Sequence, residues 1–467
     1  MPESDISAWL QFALQQMAAE SYLDGINLNN AEQVKIQLRL GNNRPGFPES
    51  GATRFAGTQT QGLQDQAFVD RYQIIDHHAN DATGFSATLT QERGTNNFTL
   101  SFRSTEYKDQ VDGGDYERDG ANLPFLTGAD GEIVTKGFAF GQLAAMEHYY
   151  QSTVKNLLPP GAVLNVTGYS LGAHLATVFT ELHGFETNTP FSFGHTYTFN
   201  GPGRGEFSAG QQAETVEAAR IRAMITRLTE VLTNPLSGIA LGTPVVLWPP
   251  SLNAALLAQQ QNPTWNPWDS GSTLSVYADA RYLWAKQVVE AEFTPVSRTL
   301  SDIPRTDGAF SLITQIVGHA SQGDTEYVAN SGNHAPETSI FIEDQPDIDG
   351  FGGFFGTPGS FGTTHSITLI VDSLATQELF QTVAPALTRP DMEAIFAASS
   401  SQLASGFVGV SGLAEGNSLE NALDALGKLF VPNYTPTPSG RQTGDYGSLT
   451  FRNTFYANLA AVKAAMA

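Results

Sequence analysis

A serine hydroxyl is a weak nucleophile until its surroundings expose it, orient it and take its proton. The sharpest such signal in this sequence is Gly168-Tyr169-Ser170-Leu171-Gly172, a G-x-S-x-G pattern. It lies directly after the apolar run Ala162–Thr167 and directly before His174–Leu182, which has helical composition. A nucleophile on so tight a strand-to-helix bend has strained dihedrals, and side chains at the flanking glycines would collide. The helix start also aims the Leu171 amide at the place where an oxyanion forms, and the helix dipole favours negative charge there. The chemistry implied is attack on a carbonyl, which needs a general base within hydrogen-bond reach. Nine histidines are available for that role. An ordinary turn between strand and helix is the alternative reading of the same five residues.

Two further segments narrow the choice. Leu100-Ser101-Phe102-Arg103-Ser104-Thr105 lies upstream, and Tyr197-Thr198-Phe199-Asn200-Gly201-Pro202-Gly203 lies downstream. With the run from Val166 to Ala176 they resemble, in order, three motifs of the class 3 lipases of the α/β-hydrolase superfamily. Those motifs are the F-R-G-[ST] strand end, the G-H-S-L-G elbow and T-F-G-x-P-x-x-G. The resemblance covers roughly residues 97–205. Tyr169 departs from it by replacing a His, and Ser104 by replacing a Gly.

The resemblance implies an α/β-hydrolase fold and a serine, histidine and acid triad acting on lipid esters. Thr105 would then supply a second oxyanion contact, through its amide and hydroxyl, beside Leu171. The catalytic histidine comes last of the three in this fold, on a loop after the final strand. His365 fits, because it follows a Gly-rich loop, precedes the apolar helix Ile367–Leu374 and is the last histidine of the chain. The acid follows a strand between Ser170 and His365, where it orients the imidazole. Strand Phe310–Val317 leads to Asp324, our assignment, with Glu326 close behind. The spacing from Glu326 to Val328 and Gly332 imitates a D-x-V-x-x-x-G pattern. His174, one turn past Ser170, reads as packing or polar support. His77 and His78 precede the elbow, and His319 and His334 read as loop residues. Asp302, Asp307, Asp344, Asp347 and Asp349 read as surface or loop carboxylates.

The surrounding elements must hold these groups in place. Residues 1–25 read as an amphipathic helix carrying Trp9, Leu10, Phe12, Ala13, Met17 and Tyr22. Segment 26–95 is polar with short strand-like runs such as Tyr72–Ile75. Phe98–Phe102, Ala162–Thr167 and Thr196–Phe199 read as strands, with a helix over Gly137–Ser152, so the fold class is α/β with a mostly parallel central sheet. Residues 205–305 interrupt that alternation with the helical run Gln212–Leu232, the apolar segment Ile239–Leu257 and four of the five tryptophans. This stretch reads both as a packed helical subdomain and as a cap or lid over the site. Strands resume at Phe310–Val317 and Thr338–Glu343. Helices follow at Arg389–Ala398, Leu419–Phe430 and Asn453–Met466. The expected organisation is an N-terminal helix and polar segment over 1–96 packed on the core. The catalytic core is 97–204 and 306–385, the helical cap or lid insertion is 205–305, and the C-terminal helical region is 386–467.

Composition excludes several partners. Of 467 residues, 47 are Asp or Glu and 24 are Lys or Arg, a net charge of −23 that repels nucleic acid and anionic bilayers at long range. No run approaches the ~18 apolar residues of a membrane-spanning helix, so an integral membrane protein is not expected. There is no Cys, hence no disulfide and no thiolate metal site. The chemistry needs no metal and no cofactor. The acidic loop Asp109–Asp119, with Arg118 its only cation, fits no EF-hand spacing and reads as solvated rather than as a Ca²⁺ site. Met1–Ser21 carries Glu3 and Asp5 where a signal peptide has cations, so the protein is expected to be soluble and not exported by that signal. An acidic, Cys-free, Gly-rich chain also suits secretion of an unfolded bacterial protein without such a signal. The expected partner is a lipid or other ester, met at an oil–water interface. The motifs do not separate a triacylglycerol lipase or carboxylesterase from a phospholipase A1. A peptidase or thioesterase on the same fold, and a non-catalytic module that binds lipid or protein, complete the alternatives.

Overall fold

The computed structural model describes residues 5–42, 52–106, 109–110, 114–120, 122, 127–208, 214–239, 249–297, 327–328, 337–340, 366–399, 418–437 and 448–466. Helices α1 (Asp5–Ala19), α2 (Ala31–Leu40) and α3 (Gln64–Arg71) precede a seven-stranded sheet. Its strands are β1 (Tyr72–His78), β2 (Ala87–Glu92), β3 (Asn97–Phe102), β4 (Val163–Tyr169), β5 (Ser192–Phe199), β6 (Tyr327–Val328) and β7 (Glu337–Ile340). They lie in the order β1-β2-β3-β4-β5-β7-β6. The pairs β3–β4, β4–β5 and β5–β7 are parallel, whereas β1–β2, β2–β3 and β6–β7 are antiparallel. The α/β class therefore holds, with a mixed sheet built around a parallel centre.

Parallel neighbours need a crossover, and helices supply it. Between β3 and β4 run α4 (Tyr116–Asp119), α5 (Ala129–Lys136) and α6 (Phe140–Tyr149), which continues through a π-type turn into α7 (Lys155–Leu157). Between β4 and β5 runs α8 (Leu171–His183). Alternation along the strands divides the interior into two cores. Leu89, Phe98, Leu100, Phe102, Leu164 and Val166 join one, with α6 and α8. Tyr72, Ile74, Tyr169, Phe199 and Ile340 join the other, with α1 and the C-terminal helices. On the face toward α1 the sheet buries small hydroxyl side chains, among them Thr90, whose Oγ1 donates to Gln15 Oε1 at 2.6 Å.

Segment 26–95 holds more helix than its composition suggests. Asn30 caps α2 by accepting from the amides of Glu32 and Gln33, and Val34 and Leu38 bury one face. Helix α1 ends at Ala19 rather than near residue 25. In the expected cap, α9 (Glu214–Thr233), α10 (Pro250–Gln261) and α11 (Ala280–Phe293) are helical, and α9 packs on α6 and α8. The C-terminal helices are α12 (Ile367–Val383), α13 (Arg389–Ser399), α14 (Ser418–Phe430) and α15 (Leu449–Met466), with α12 against α1. The strand expected over 310–317 lies outside the described residues. Among the described residues no helix is long and apolar enough to cross a membrane.

Candidate active site

Ser170 stands between β4 and α8 with φ 54° and ψ −121°, a conformation that a side chain disfavours. The flanking glycines make this bend possible. A Cβ on Gly168 would sit 2.1 Å from the Gly172 carbonyl oxygen, and one on Gly172 would sit 2.1 Å from that of Phe102. The Ser170 amide donates to the Phe199 carbonyl at 3.0 Å, which ties the bend to the end of β5. Serine at a helix N-cap ordinarily turns its hydroxyl onto the helix amides. Ser170 occupies that position without making the bond, and its Oγ has no partner among the described residues.

Pairing of Phe102 with Gly168 puts the ends of β3 and β4 side by side, so loop 103–106 and Ser170 leave the sheet at one edge. That loop is buried throughout. The Arg103 amide donates to the Ser86 carbonyl at 3.0 Å, the Ser104 amide to Glu20 Oε1 at 3.1 Å, and the Glu106 amide to Asp119 Oδ2 at 3.2 Å. Among the described residues the Thr105 amide has no acceptor, and neither has the Leu171 amide in the first turn of α8. The Thr105 hydroxyl donates to Asp130 Oδ2 at 2.9 Å. Burial pushes the Asp130 carboxyl up to about 7, against the opposing pull of that bond.

The third motif closes the other side. Asn200, at φ 47°, donates its amide to the Ile340 carbonyl at 2.9 Å, and Gly201 lies against Ala173 of α8. His174 accepts the Ala139 amide on Nε2 at 3.2 Å and meets the Gly203 carbonyl with Nδ1 at 2.7 Å. Its single proton is therefore on Nδ1, and the ring is a fixed strut between α6, α8 and the third motif, as expected of a packing residue. Tyr169, where the lipase motif has His, belongs to the apolar cluster that holds Phe199, Ile340 and Ile367.

Of the expected site residues, Ser170, Leu171 and Thr105 are described, while Asp324, Glu326, His319, His334 and His365 lie outside the described residues. The chain re-enters the described part at Ser366, which is buried and caps α12 by accepting from the Thr368 amide. The acidic loop corrects its expectation. Asp115, Arg118 and Asp119 are buried, not solvated. Arg118 makes this tolerable by pairing with Asp115 and donating to the carbonyls of Asp81, Ser272 and Leu274. Burial still pushes Asp115 up to about 7, against the pull of Arg118. Among the described residues no group of three or more His, Asp or Glu is placed to hold a metal ion.

Glu20 and Asp130 were not identified as site residues from sequence, although Glu20 left a signal. Gln16 on α1 and Glu20 just beyond its end are buried polar residues beside the apolar face that Ala13 and Met17 define, and a polar pair there must find partners.

No family model matches the chain, and no curated protein matches it. Among solved structures, the chain is similar to the Lip2 lipase from Yarrowia lipolytica at 14% identity and a TM-score of 0.24. That match covers 46% of this chain and 65% of the lipase chain, just under two thirds of its length. A likeness so remote shows neither the family nor the activity.

Proposed function

We propose that this chain is a serine hydrolase of the α/β-hydrolase type that cleaves the carboxylic esters of lipids. The observation that carries the reading is Ser170 itself. Its hydroxyl is withheld from the helix it caps, on a strained bend, with the amides of Leu171 and Thr105, which have no acceptor among the described residues, on the two segments beside it. Ser170 Oγ attacks the ester carbonyl carbon as His365 takes its proton, and the carbonyl oxygen becomes an oxyanion held by those two amides. Each such donor contributes roughly 3 kcal/mol to the transition state. The C–O bond then breaks, the alcohol leaves with the proton from His365, and water hydrolyses the acyl-enzyme in the same way.

Asp324 is the assigned orienting acid, with Glu326 the alternative. Glu326 directly precedes β6 in the sequence and Asp324 lies two residues before Glu326; β6 pairs with β7, which pairs with the end of β5. The position of Ser366 and Ile367 supports His365, because Ile367 joins the cluster that contains Tyr169 and Phe199. In this reading residues 205–305 form the cap, and 97–204 with 306–385 form the catalytic core.

Diisopropyl fluorophosphate should label Ser170, read by mass spectrometry of its peptide. Ser170→Ala should lower hydrolysis of p-nitrophenyl esters by about ten thousand-fold or more. An intact protein that stays unlabelled, or a Ser170→Ala variant that keeps its activity, would remove the proposal. Triolein set against a diacyl phospholipid then separates lipase from phospholipase A1.

A further inference from the structure

The last turn of α1 and Glu20, the residue just after it, meet the end of β3 and the loop that carries Thr105 with polar groups. Gln16 Nε2 donates to the Phe102 carbonyl at 2.7 Å and to Glu20 Oε1 at 2.8 Å. Glu20 Oε1 also accepts the Ser104 amide at 3.1 Å, and Glu20 Oε2 accepts the Ser104 hydroxyl at 2.8 Å. The Glu20 carbonyl accepts Arg103 Nη2 at 3.1 Å. Arg103 pairs with Glu106 at 2.7 Å and lies 4.3 Å over the ring of Tyr22, whose hydroxyl donates to Glu106 Oε2 at 2.7 Å. A carboxylate in this interior is costly to bury, and it is retained where its bonds fix something.

We infer that Glu20 is a positioning residue for the oxyanion loop, acting through Ser104 to hold the Thr105 amide open toward the Ser170 bend; this rests on the hydrolase reading above. Three of the four consecutive amides from 103 to 106 are committed to acceptors, and the bond to Glu20 is the one that fixes the residue directly before Thr105. It also gives Ser104 a purpose. The hydroxyl present where the lipase motif has glycine supplies the second of two bonds to one carboxylate, so the loop is clamped from outside rather than by its own turn.

The test uses the full chain and p-nitrophenyl butyrate. Glu20→Gln keeps the size of the side chain but turns one acceptor into a donor against the Ser104 groups. Misplacement of a catalytic donor by about 1 Å costs on the order of a hundred-fold. Glu20→Gln should therefore lower kcat by about ten- to a hundred-fold, with KM changed less than about two-fold. Ser104→Ala, which removes only the hydroxyl bond, should lower kcat by about three- to ten-fold, and the double variant should be no slower than Glu20→Gln alone. Should Glu20→Gln fail to fold, Ser104→Ala decides by its own kcat. Unchanged kcat in whichever variants fold, or losses that simply multiply in the double variant, would overturn the inference. Ser170→Ala, run alongside, keeps the two questions apart. If it is inactive while Glu20→Gln is fully active, the hydrolase reading stands and only the role of Glu20 falls.

Discussion

Helix α8 joins two regions with opposite electrostatics. At its first turn lie strain, two amides without acceptors among the described residues, and carboxyls held above their ordinary range. Burial raises Glu20 despite the pull of Arg103, lifts Asp130 and Asp115 to about 7, and raises Asp119 well up, with Asp115 and Glu106 adding to it. At its last turn everything is matched. His183 is buried with Nε2 2.7 Å from Glu147 and Nδ1 2.6 Å from Glu186. Burial opposes charge on that ring, but the two carboxylates outweigh it and raise its pKa. In return the bonds to His183 lower Glu147 and bring Glu186 to about 2, although burial opposes both. A doubly protonated imidazole also suits the negative end of a helix. Carboxylate beside imidazole thus marks a structural clamp here, whereas the end with amides lacking acceptors among the described residues is the one where the proposed chemistry would lie.

The largest way to break this contrast is Gly172→Ala. Its Cβ would meet backbone oxygen on Phe102 at 2.1 Å and on Arg103 at 2.9 Å, neither of which can step aside as a side chain can. Esterase activity should fall by about a hundred-fold or more and stability by about 3 kcal/mol, read by urea unfolding. A neutral result would mean the bend is not tightly held. His183→Gln should cost a similar amount, about 2 kcal/mol at pH 6, reduced from the value for fully buried pairs because Glu147 and Glu186 keep solvent contact. Activity per folded molecule should stay within about two-fold. The sign follows from the raised pKa. The contribution of His183 is complete below its unfolded value near 6.5 and is lost as pH rises through the folded value, so the gap between variant and parent should narrow toward alkaline pH. A gap that widens would place the proton elsewhere.

How much of this was readable in advance depended on range. Strand, Gly168, Ser170, Gly172 and helix are contiguous, so the bend and the placing of the Leu171 amide at the first turn of α8 follow from local rules. Helix α2 also had its signal, an Asn30 cap before Val34 and Leu38, but polar composition concealed it. The bond between Ser104 and Glu20 spans 84 residues, and periodicity cannot pair them. Nor could the spacing of Asp115 and Asp119 show that Arg118 would carry them inside, where loop acids are ordinarily solvated. Asp324 and His365, inferred from chain order, lie outside the described residues.

A smaller effect sharpens the account of strain. Glycine adopts φ 54° without penalty, so Ser170→Gly should abolish activity and yet raise stability by about 1 kcal/mol over Ser170→Ala, which keeps the Cβ. Both variants lose the hydroxyl, so the difference reports the backbone alone. Equal unfolding midpoints would show that no strain is stored at the bend.

The smallest expected effect separates the two ends by pH. Asp130 keeps a little solvent contact even though burial raises its pKa, so the cost it carries is a modest one. Below 3.8 the carboxyl is protonated both folded and unfolded, and Asp130→Asn should match the parent. As pH rises toward about 7 the unfolded chain ionises first, so the parent loses stability that the variant keeps, and above that value the difference should level off near 1 kcal/mol. The advantage of Asp130→Asn therefore grows mostly below the pH at which His183 begins to lose its contribution, and the two changes should add because the groups share no partner. Unfolding midpoints of both single variants and the double, measured at pH 4, 6 and 8, would test this. A stability advantage already present at pH 4 would show that Asp130 is not the group whose ionisation the folded chain resists.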